Sequence, residues 1–164
     1  SGCTLKARSA NSDFCLVQMS SAPPLNYNVY YSGWDKSGNA TQSTYGIHHP
    51  AGDIKKFSHA TSTDAAFYSN AECWNVFWTI NGNGQPIEGV TEGGSSGSPI
   101  FDANHRVIGQ LYGGPSSCTQ TGAANVNDYY GRFSYSWDSC GTTSTVRLKD
   151  WLDPANQNPP FIIF

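Results

Sequence analysis

The sequence predicts an all-β protein, a closed antiparallel barrel with one short helix near the C-terminus. Seventeen Gly and nine Pro are spread along the 164 residues and not gathered in one block, which is typical of a domain with many turns. Charged residues make up only 13% of the chain, about half of the quarter usual in soluble proteins, while aromatic residues also reach 13%. A chain of this length can bury one ordinary core, and it contains no internal repeat or dividing linker. We therefore expect residues 1–164 to form a single domain.

Eight segments rich in β-branched and aromatic residues are candidate strands. They are residues 14–19, 28–34, 43–48, 54–58, 74–80, 99–101, 106–112 and 129–137. Clusters of Gly, Asn and Pro separate them, because Gly and Asn tolerate positive φ whereas Pro fixes φ and ends a β-ladder. Residues 74–78, followed by Asn-Gly-Asn-Gly, are expected to form one arm of a hairpin. Only residues 144–152, which Pro154 ends, have the apolar spacing of a helix, so the order of elements favours a barrel over an α/β fold.

Charge and hydropathy argue against two classes of partner. The net charge of −3 provides no basic surface, so we expect no nucleic acid partner. No apolar run approaches the roughly 18 residues that span a bilayer, so we expect no membrane partner. Residues 1–6 do not form a signal peptide, but a mature chain would lack one as well.

The five cysteines favour disulfides in an oxidising compartment, so we expect a secreted or periplasmic protein. They are Cys3, Cys15, Cys73, Cys118 and Cys140. No pair has Cys-x-x-Cys spacing, and no Cys/His cluster has the spacing of zinc ligands, so we expect neither a metal nor a cofactor. Free buried thiols remain the alternative. Because the count is odd, at least one cysteine has no partner within the chain.

Residues 92–101, Glu-Gly-Gly-Ser-Ser-Gly-Ser-Pro-Ile-Phe, have the composition of a nucleophile loop. A serine hydroxyl attacks a carbonyl only when a base takes its proton and N–H donors stabilise the oxyanion. The backbone must therefore turn sharply at the serine, and Gly94 can adopt the unusual dihedrals that this turn needs. Gly97 leaves room for the substrate carbonyl, and Pro99 begins the next strand. This pattern predicts Ser96 as the nucleophile, with the N–H groups of Gly94 and Ser96 as the oxyanion hole. A plain Gly/Ser-rich hairpin loop is the alternative.

Nine short motifs follow one another along the chain. They are Asn-Ser-Asp-Phe at 11–14, Gly-Trp-Asp at 33–35, Ile-His-His-Pro at 47–50, Gly-Val-Thr-Glu at 89–92, Ser-Ser-Gly-Ser-Pro-Ile at 95–100, Val-Ile-Gly-Gln-Leu at 107–111, Gly-Gly-Pro-Ser-Ser-Cys at 113–118, Asp-Tyr-Tyr-Gly-Arg at 128–132 and Asp-Trp-Leu-Asp-Pro at 150–154. In this order, and over essentially the whole chain, they resemble the bacterial lysyl endopeptidases of the chymotrypsin-like superfamily. The resemblance implies the second barrel of such a protease, six-stranded with Greek-key topology. Residues 1–24 would be the interbarrel segment, and the first barrel would be absent.

The resemblance also implies roles for single residues. Asp13 occupies the position of the triad aspartate, which orients the histidine base; an isolated Asp before a strand is otherwise a turn cap. Val90, six residues before Ser96, cannot bind a cation as the acid of trypsin-type enzymes does. Asp128 instead matches the aspartate that binds lysine in the family, and its alternative is a turn residue after 125–127.

The substrate-binding segment resembles that of the family with one change. Gly113 and Gly114 would pair with the substrate backbone. Tyr112 stands where the family has a histidine, and Tyr68 corresponds to the aromatic partner of that histidine. Cys118 matches a family cysteine that bridges to the N-terminal segment.

The catalytic base has no candidate in its usual place. In the superfamily the base precedes the aspartate, whereas all four histidines here follow Asp13. The family carries the pair His48-His49 in addition to its catalytic histidine, so both are expected to have structural or turn roles. His59 and His105 lie in polar contexts and are expected to be exposed.

We therefore expect the C-terminal portion of a secreted or periplasmic serine endopeptidase that cleaves after lysine. This enzyme portion would be inactive alone, because the histidine belongs to the missing N-terminal barrel. Its partners would be a polypeptide substrate, that barrel and, through the exposed interbarrel face, a second copy of the chain. The alternatives are a non-catalytic peptide- or partner-binding β domain and, from the Trp and Tyr content, a carbohydrate-binding β domain.

Overall fold

The computed structural model describes residues 2–119 and 126–163, which form strands joined by turns and two short helices. The strands are β1 Cys3–Ser9, β2 Phe14–Met19, β3 Trp34–Asp35, β4 Thr44–His48, β5 Lys56–Tyr68, β6 Ala71–Trp78, β7 Pro99–Asp102, β8 Val107–Gly113, β9 Asn127–Arg132 and β10 Phe161–Ile162. The helices are α1 Phe133–Asp138 and α2 Lys149–Leu152, and two 3-10 turns span Leu25–Tyr27 and Pro50–Gly52.

Six of the strands close into an antiparallel barrel. Their order is β8-β7-β4-β5-β6-β9, and β9 pairs again with β8 to close the ring. In chain order the six strands therefore lie as first, second, third, sixth, fifth and fourth, which is a Greek-key arrangement. The predicted all-β, six-stranded Greek-key barrel is confirmed.

Alternating side chains of the strands fill the barrel. On β6, Trp74, Val76 and Trp78 are buried at alternating positions and point into the barrel. They pack with the other members of the barrel core, which are Ala60, Val90, Ile100, Ile108, Leu111, Val126 and Tyr130. Four of the five tryptophans are buried, and only Trp151 is exposed, at 39%. The Trp content therefore belongs to the cores and gives no support to a carbohydrate-binding surface.

A second core fastens the N-terminal hairpin β1–β2 to the barrel. It contains Ala7, Phe14, Trp34, Phe133, Trp137, Cys140 and Leu148. The hairpin is also tied by backbone hydrogen bonds, from Arg8 N–H to the Thr145 carbonyl and from Glu72 N–H to the Asn11 carbonyl. This attachment fixes the turn of the hairpin, which carries Asp13, against the outside of the barrel.

Three predicted elements differ from the structure. Residues 28–34 pair only at Trp34, in the two-residue strand β3. Residues 129–137 change from strand to helix after Arg132, because Phe133 and Trp137, one helical turn apart, both pack on Trp34 with ring centroids 5.6 and 4.6 Å away. Of residues 144–152, only Lys149–Leu152 is helical.

The remaining differences concern strands and the hairpin arm. Strands β1 and β10 were not predicted, and β5 is 13 residues long where five were expected. The arm at residues 74–78 lies in β6 and pairs with the preceding β5, whereas the Asn-Gly-Asn-Gly turn after it closes a single bridge between Ile80 and Pro86.

The five cysteines all lie in the described residues, and none is bonded to another. Cys3, Cys15 and Cys118 are exposed, whereas Cys73 and Cys140 are buried. Burial raises the pKa of the Cys73 thiol to about 11, which keeps it protonated at neutral pH. A disulfide within the chain is therefore not part of this structure. Neither α1 nor α2, nor any other helix within residues 2–119 and 126–163, is long and apolar enough to cross a membrane.

Candidate active site

The predicted nucleophile loop turns sharply just before β7. Gly94 has φ of +96° and Gly97 has φ of +81°, a conformation that L side chains rarely adopt. Between these glycines, Ser95 is buried and Ser96 is exposed, so the two neighbouring hydroxyls face opposite sides of the loop. The sequence pattern therefore produces the local turn that a nucleophile loop requires.

The backbone N–H groups of the loop divide into two sets. Those of Ser95, Gly97 and Ser98 donate to the carbonyls of Glu92, Leu111 and Ser95, at 3.0, 2.8 and 3.1 Å. Within residues 2–119 and 126–163, the N–H groups of Gly94 and Ser96 donate to no acceptor. These are the two groups that the sequence predicts for the oxyanion hole.

A buried histidine lies beneath the loop. His48, at the end of β4, is only 2% exposed, and its Nδ1 lies 2.9 Å from the Ser95 hydroxyl. Its Nε2 lies 2.7 Å from the Ser58 hydroxyl on β5. Burial lowers the pKa of His48, and the opposing charge of Asp128 is the weaker influence. The imidazole is therefore neutral at neutral pH.

Asp13 and Ser96 line the same groove, of about 960 Å3, between the hairpin and the barrel. Phe14, Gly97 and Gln110 line it with them. Partial burial raises the pKa of the Asp13 carboxyl. An acid and a serine that line one groove can flank a third group that bridges them.

Contacts with neighbouring elements of the barrel fix the turn that carries Asp13. The Gln110 amide on β8 donates to the Ser12 carbonyl at 2.7 Å, and the Ser12 hydroxyl bonds that of Ser136 at 2.8 Å. Gly131 on β9 lies so close that a Cβ there would overlap the Ser12 carbonyl oxygen. The position of Asp13, which has φ of +50°, is therefore set by β8, β9 and α1 together.

None of the four histidines, all of which are in the described residues, lines this groove. His48 is buried under the loop, and His105 is exposed on a turn with φ of +61°. His49 is exposed and bonds the Asp53 carbonyl at 3.1 Å. His59 was expected to be exposed but is only partly so. It lies on the outside of the barrel between Glu88, at 2.5 Å, and Ser43, at 2.8 Å.

Asp128 lies inside the barrel and is 1% exposed. Its Oδ2 accepts hydrogen bonds from Trp78 Nε1 at 2.6 Å, from Thr91 Oγ1 at 2.7 Å and from the Ser116 hydroxyl. Among the residues that the structure describes, its Oδ1 accepts only one long bond, from the Ser116 N–H at 3.4 Å, and it lies against Gly114. Asp128 is a residue of strand β9, where it pairs with Val76, and is not a turn residue. The turn that the sequence suggests at residues 125–127, just before Asp128, begins at Asn125, which lies outside the described residues.

Three tyrosines cluster at the end of β8. The Tyr68 ring meets the Tyr112 ring edge-on with centroids 5.2 Å apart, and it stacks on the Tyr129 ring at 4.4 Å. Gly113 lies beside the same ring, since a Cβ there would be 3.8 Å from it. The structure thus brings Tyr112 and Tyr68 together and adds Tyr129, which the sequence did not indicate.

The barrel, the groove that Asp13 and Ser96 line and the family match together define a class of protein, a protease-derived β-barrel domain. Residues 1–131 match the family model described as lysyl endopeptidase, C-terminal domain, and the chain belongs to this family. The lysyl endopeptidase of Pseudomonas aeruginosa is 33% identical over 140 residues, which cover 81% of this chain and 28% of the relative. The chain thus spans less than a third of the relative that it matches.

A solved protease structure agrees with this fold at low sequence identity. The Rv3671c protease in its inactive form is 14% identical, with a TM-score of 0.51 over 79% of this chain and 60% of that chain. A mutant, inactive form of Rv3671c from M. tuberculosis H37Rv is 13% identical, with a TM-score of 0.49 over 79% of this chain and 58% of that chain.

Proposed function

We propose that this chain supplies the nucleophile, the oxyanion hole, the triad aspartate and the lysine-binding acid of a secreted or periplasmic serine endopeptidase. The observation that carries the proposal is the unused pair of N–H groups, Gly94 and Ser96, beside an exposed serine hydroxyl. Membership of the lysyl endopeptidase family supports the choice of reaction.

The chemistry needs a histidine from a first barrel docked on the groove. That imidazole takes the Ser96 hydroxyl proton as Oγ attacks the peptide carbonyl carbon, while the Asp13 carboxylate orients the ring. The oxyanion then accepts hydrogen bonds from the Gly94 and Ser96 N–H groups, each contributing about 3–4 kcal/mol to lowering the barrier. The imidazolium returns the proton to the leaving amine, and water then hydrolyses the acyl ester at Ser96.

The groove offers the surface for this docking. Apolar side chains of the hairpin, β8 and the C-terminal segment line it, namely Phe14, Leu16, Val107, Phe133, Val146, Leu148 and Leu152. An apolar face of this kind suits a permanent partner, which is a first barrel or, in its absence, a second copy of the chain. Since the histidine base comes from the first barrel, a chain without that barrel would be inactive.

Lysine selection is assigned to Asp128. Three donors hold its Oδ2 in place, so the carboxylate cannot turn away, while among the described residues its Oδ1 accepts only the long bond from Ser116. A side chain at residue 114 would collide with Oδ1, so the glycine there leaves this oxygen for the substrate's ammonium group. Gly113 and Gly114 would pair with the substrate backbone beside Tyr112.

The test compares the purified chain with the same chain co-folded with a first barrel that carries the histidine. The chain alone should not cleave lysyl esters or amides, whereas the co-folded protein should cleave after Lys much faster than after Arg. Ser96→Ala should lower kcat on the order of a million-fold, and Ser98→Ala, two residues away in the same loop, should leave it unchanged.

Three results would contradict the proposal. Turnover by the chain alone would make one of its own histidines the base. Equal rates after Lys and Arg, or an unchanged preference in Asp128→Ala, would remove Asp128 from the specificity site. Binding of peptides without cleavage by the co-folded protein would favour a non-catalytic peptide-binding domain.

A further inference from the structure

His48 is a buried titratable group that the proposed chemistry does not use. It lies under the nucleophile loop, and both of its ring nitrogens have a hydroxyl partner, Ser95 on one side and Ser58 on the other. All three side chains are buried, with exposures of 2% or less. A polar chain of this kind inside a barrel requires every member to be paired, and here it ends on the loop itself.

The donors around Ser95 suit one direction of these hydrogen bonds. The Glu92 N–H donates to the Ser95 hydroxyl oxygen at 3.4 Å, which leaves the hydroxyl proton for donation to His48 Nδ1. Nδ1 is then the acceptor, and the protonated Nε2 donates to the Ser58 hydroxyl. This is a neutral tautomer, consistent with the lowered pKa of the buried ring.

Two carbonyl groups decide where the oxyanion donors point. The Ser95 carbonyl accepts from the Ser98 N–H at 3.1 Å, and the Gly93 carbonyl accepts from the Ala51 N–H at 2.7 Å. In a planar trans peptide the N–H points opposite to the carbonyl. With these carbonyls held toward the protein, the N–H groups of Ser96 and Gly94 are directed away from it.

His48 is connected to both carbonyl anchors. Its ring holds the side chain of Ser95, whose carbonyl is the first anchor. Its backbone leads, through His49, into the turn Pro50–Gly52 that provides the Ala51 N–H for the second. Resting on the proposed function, we propose that neutral His48 is a positioning residue for the oxyanion hole, which holds Ser95 and thereby aligns the N–H groups of Gly94 and Ser96.

The test uses two matched serine substitutions. Ser95→Ala and Ser58→Ala each remove one buried hydroxyl from the same imidazole, but only Ser95 belongs to the loop. In the co-folded protease, Ser95→Ala should lower kcat by roughly 10- to 100-fold, toward the loss caused by removal of an oxyanion donor. Its KM should remain within about twofold, because substrate binding depends on other residues. Ser58→Ala should change kcat by less than about threefold.

A second readout does not depend on activity. In NMR spectra of the 164-residue chain, Ser95→Ala should shift the amide signals of Gly94 and Ser96, whereas Ser58→Ala should not. The 15N signals of His48 should show an unprotonated Nδ1. His48→Gln is the second variant and should move the same two amides as Ser95→Ala.

Either of two results would overturn the role of His48. One is a protonated Nδ1, and the other is the same effect of both serine variants on kcat and on the two amides. If the co-folded wild-type protein does not cleave at all, the proposed function fails, while the amide signals still decide whether His48 positions the loop.

Discussion

Replacing Thr91 by Val tests how the buried Asp128 carboxylate is held. The Thr91 hydroxyl donates to Asp128 Oδ2 at 2.7 Å, and both residues are at most 3% exposed. Valine has nearly the volume of threonine, so the change removes a hydrogen bond without opening a cavity. The remaining donors, Trp78 and Ser116, would stay in place.

The expected loss follows from the charge and burial of the acceptor. A hydrogen bond to a charged group contributes about 1.5–3 kcal/mol net. Two other donors still satisfy Oδ2 in Thr91→Val, so we expect the lower half of this range, about 1.5–2 kcal/mol. In urea unfolding, with a slope of about 1–3 kcal/mol per M, this is a fall of the midpoint by roughly 0.5–2 M.

Thr44→Val is the matched control. Thr44 is fully buried on β4, but its hydroxyl has no hydrogen-bond partner within the described part of the chain. A buried unpaired hydroxyl costs about 1–3 kcal/mol, so removing it should leave the stability unchanged or raise it. If Thr91→Val is no more destabilising than Thr44→Val at equal urea slopes, Asp128 is not anchored as described.

Two further substitutions test the Asp13 turn and the buried histidine. Gly131→Ala places a methyl group on the Ser12 carbonyl, so it should cost about 1–3 kcal/mol in urea unfolding and displace Asp13. Gly113→Ala, whose methyl group would make only an ordinary contact with the Tyr68 ring at 3.8 Å, should cost less. The pKa of His48 is lowered in the folded protein. Below about pH 6.5 the unfolded chain therefore binds a proton that the folded protein does not, so the free energy of unfolding decreases as the pH is lowered, until the folded pKa is reached. His48→Gln should remove up to about 1.4 kcal/mol per pH unit of that fall, measured by urea unfolding between pH 7.5 and pH 5, and an unchanged slope would mean that His48 is not buried and neutral.

The turn at Gly94 was predictable because its signal is local. An unusual dihedral was expected at Gly94 and is observed as positive φ, and Gly97 also has positive φ, which was not expected. Strand β2, Phe14–Met19, was predicted with its observed bounds for a similar reason. Its apolar and β-branched residues follow directly on a turn.

The helix α1 was not predictable from its own residues. Residues 133–137 are rich in aromatic side chains, which favour strands when considered alone. Their helical conformation depends on Trp34, about a hundred positions earlier, against which Phe133 and Trp137 pack. Tertiary packing decided the element, and sequence spacing could not reveal the partner.

The burial of His48 had a signal that could have been used. Thr44, Gly46 and His48 are all buried because they alternate on one face of β4. Extending this period to His48 would have separated it from its exposed neighbour His49. No local sequence pattern could predict its contact with Ser95, which is 47 positions away.

Strand β9 connects the proposed lysine-binding acid, Asp128, with the proposed triad aspartate, Asp13. Asp128 and Gly131 are three positions apart, so they face opposite sides of the strand, one into the barrel and the other toward the hairpin turn. Gly131 pairs with Gln110, whose amide holds the Ser12 carbonyl next to Asp13. A distortion of β9 would therefore disturb both proposed groups together, whereas the Ser96 loop contacts His48 through Ser95. If the proposed roles hold, variants in β9 should change specificity and rate together, and variants around His48 should change rate alone.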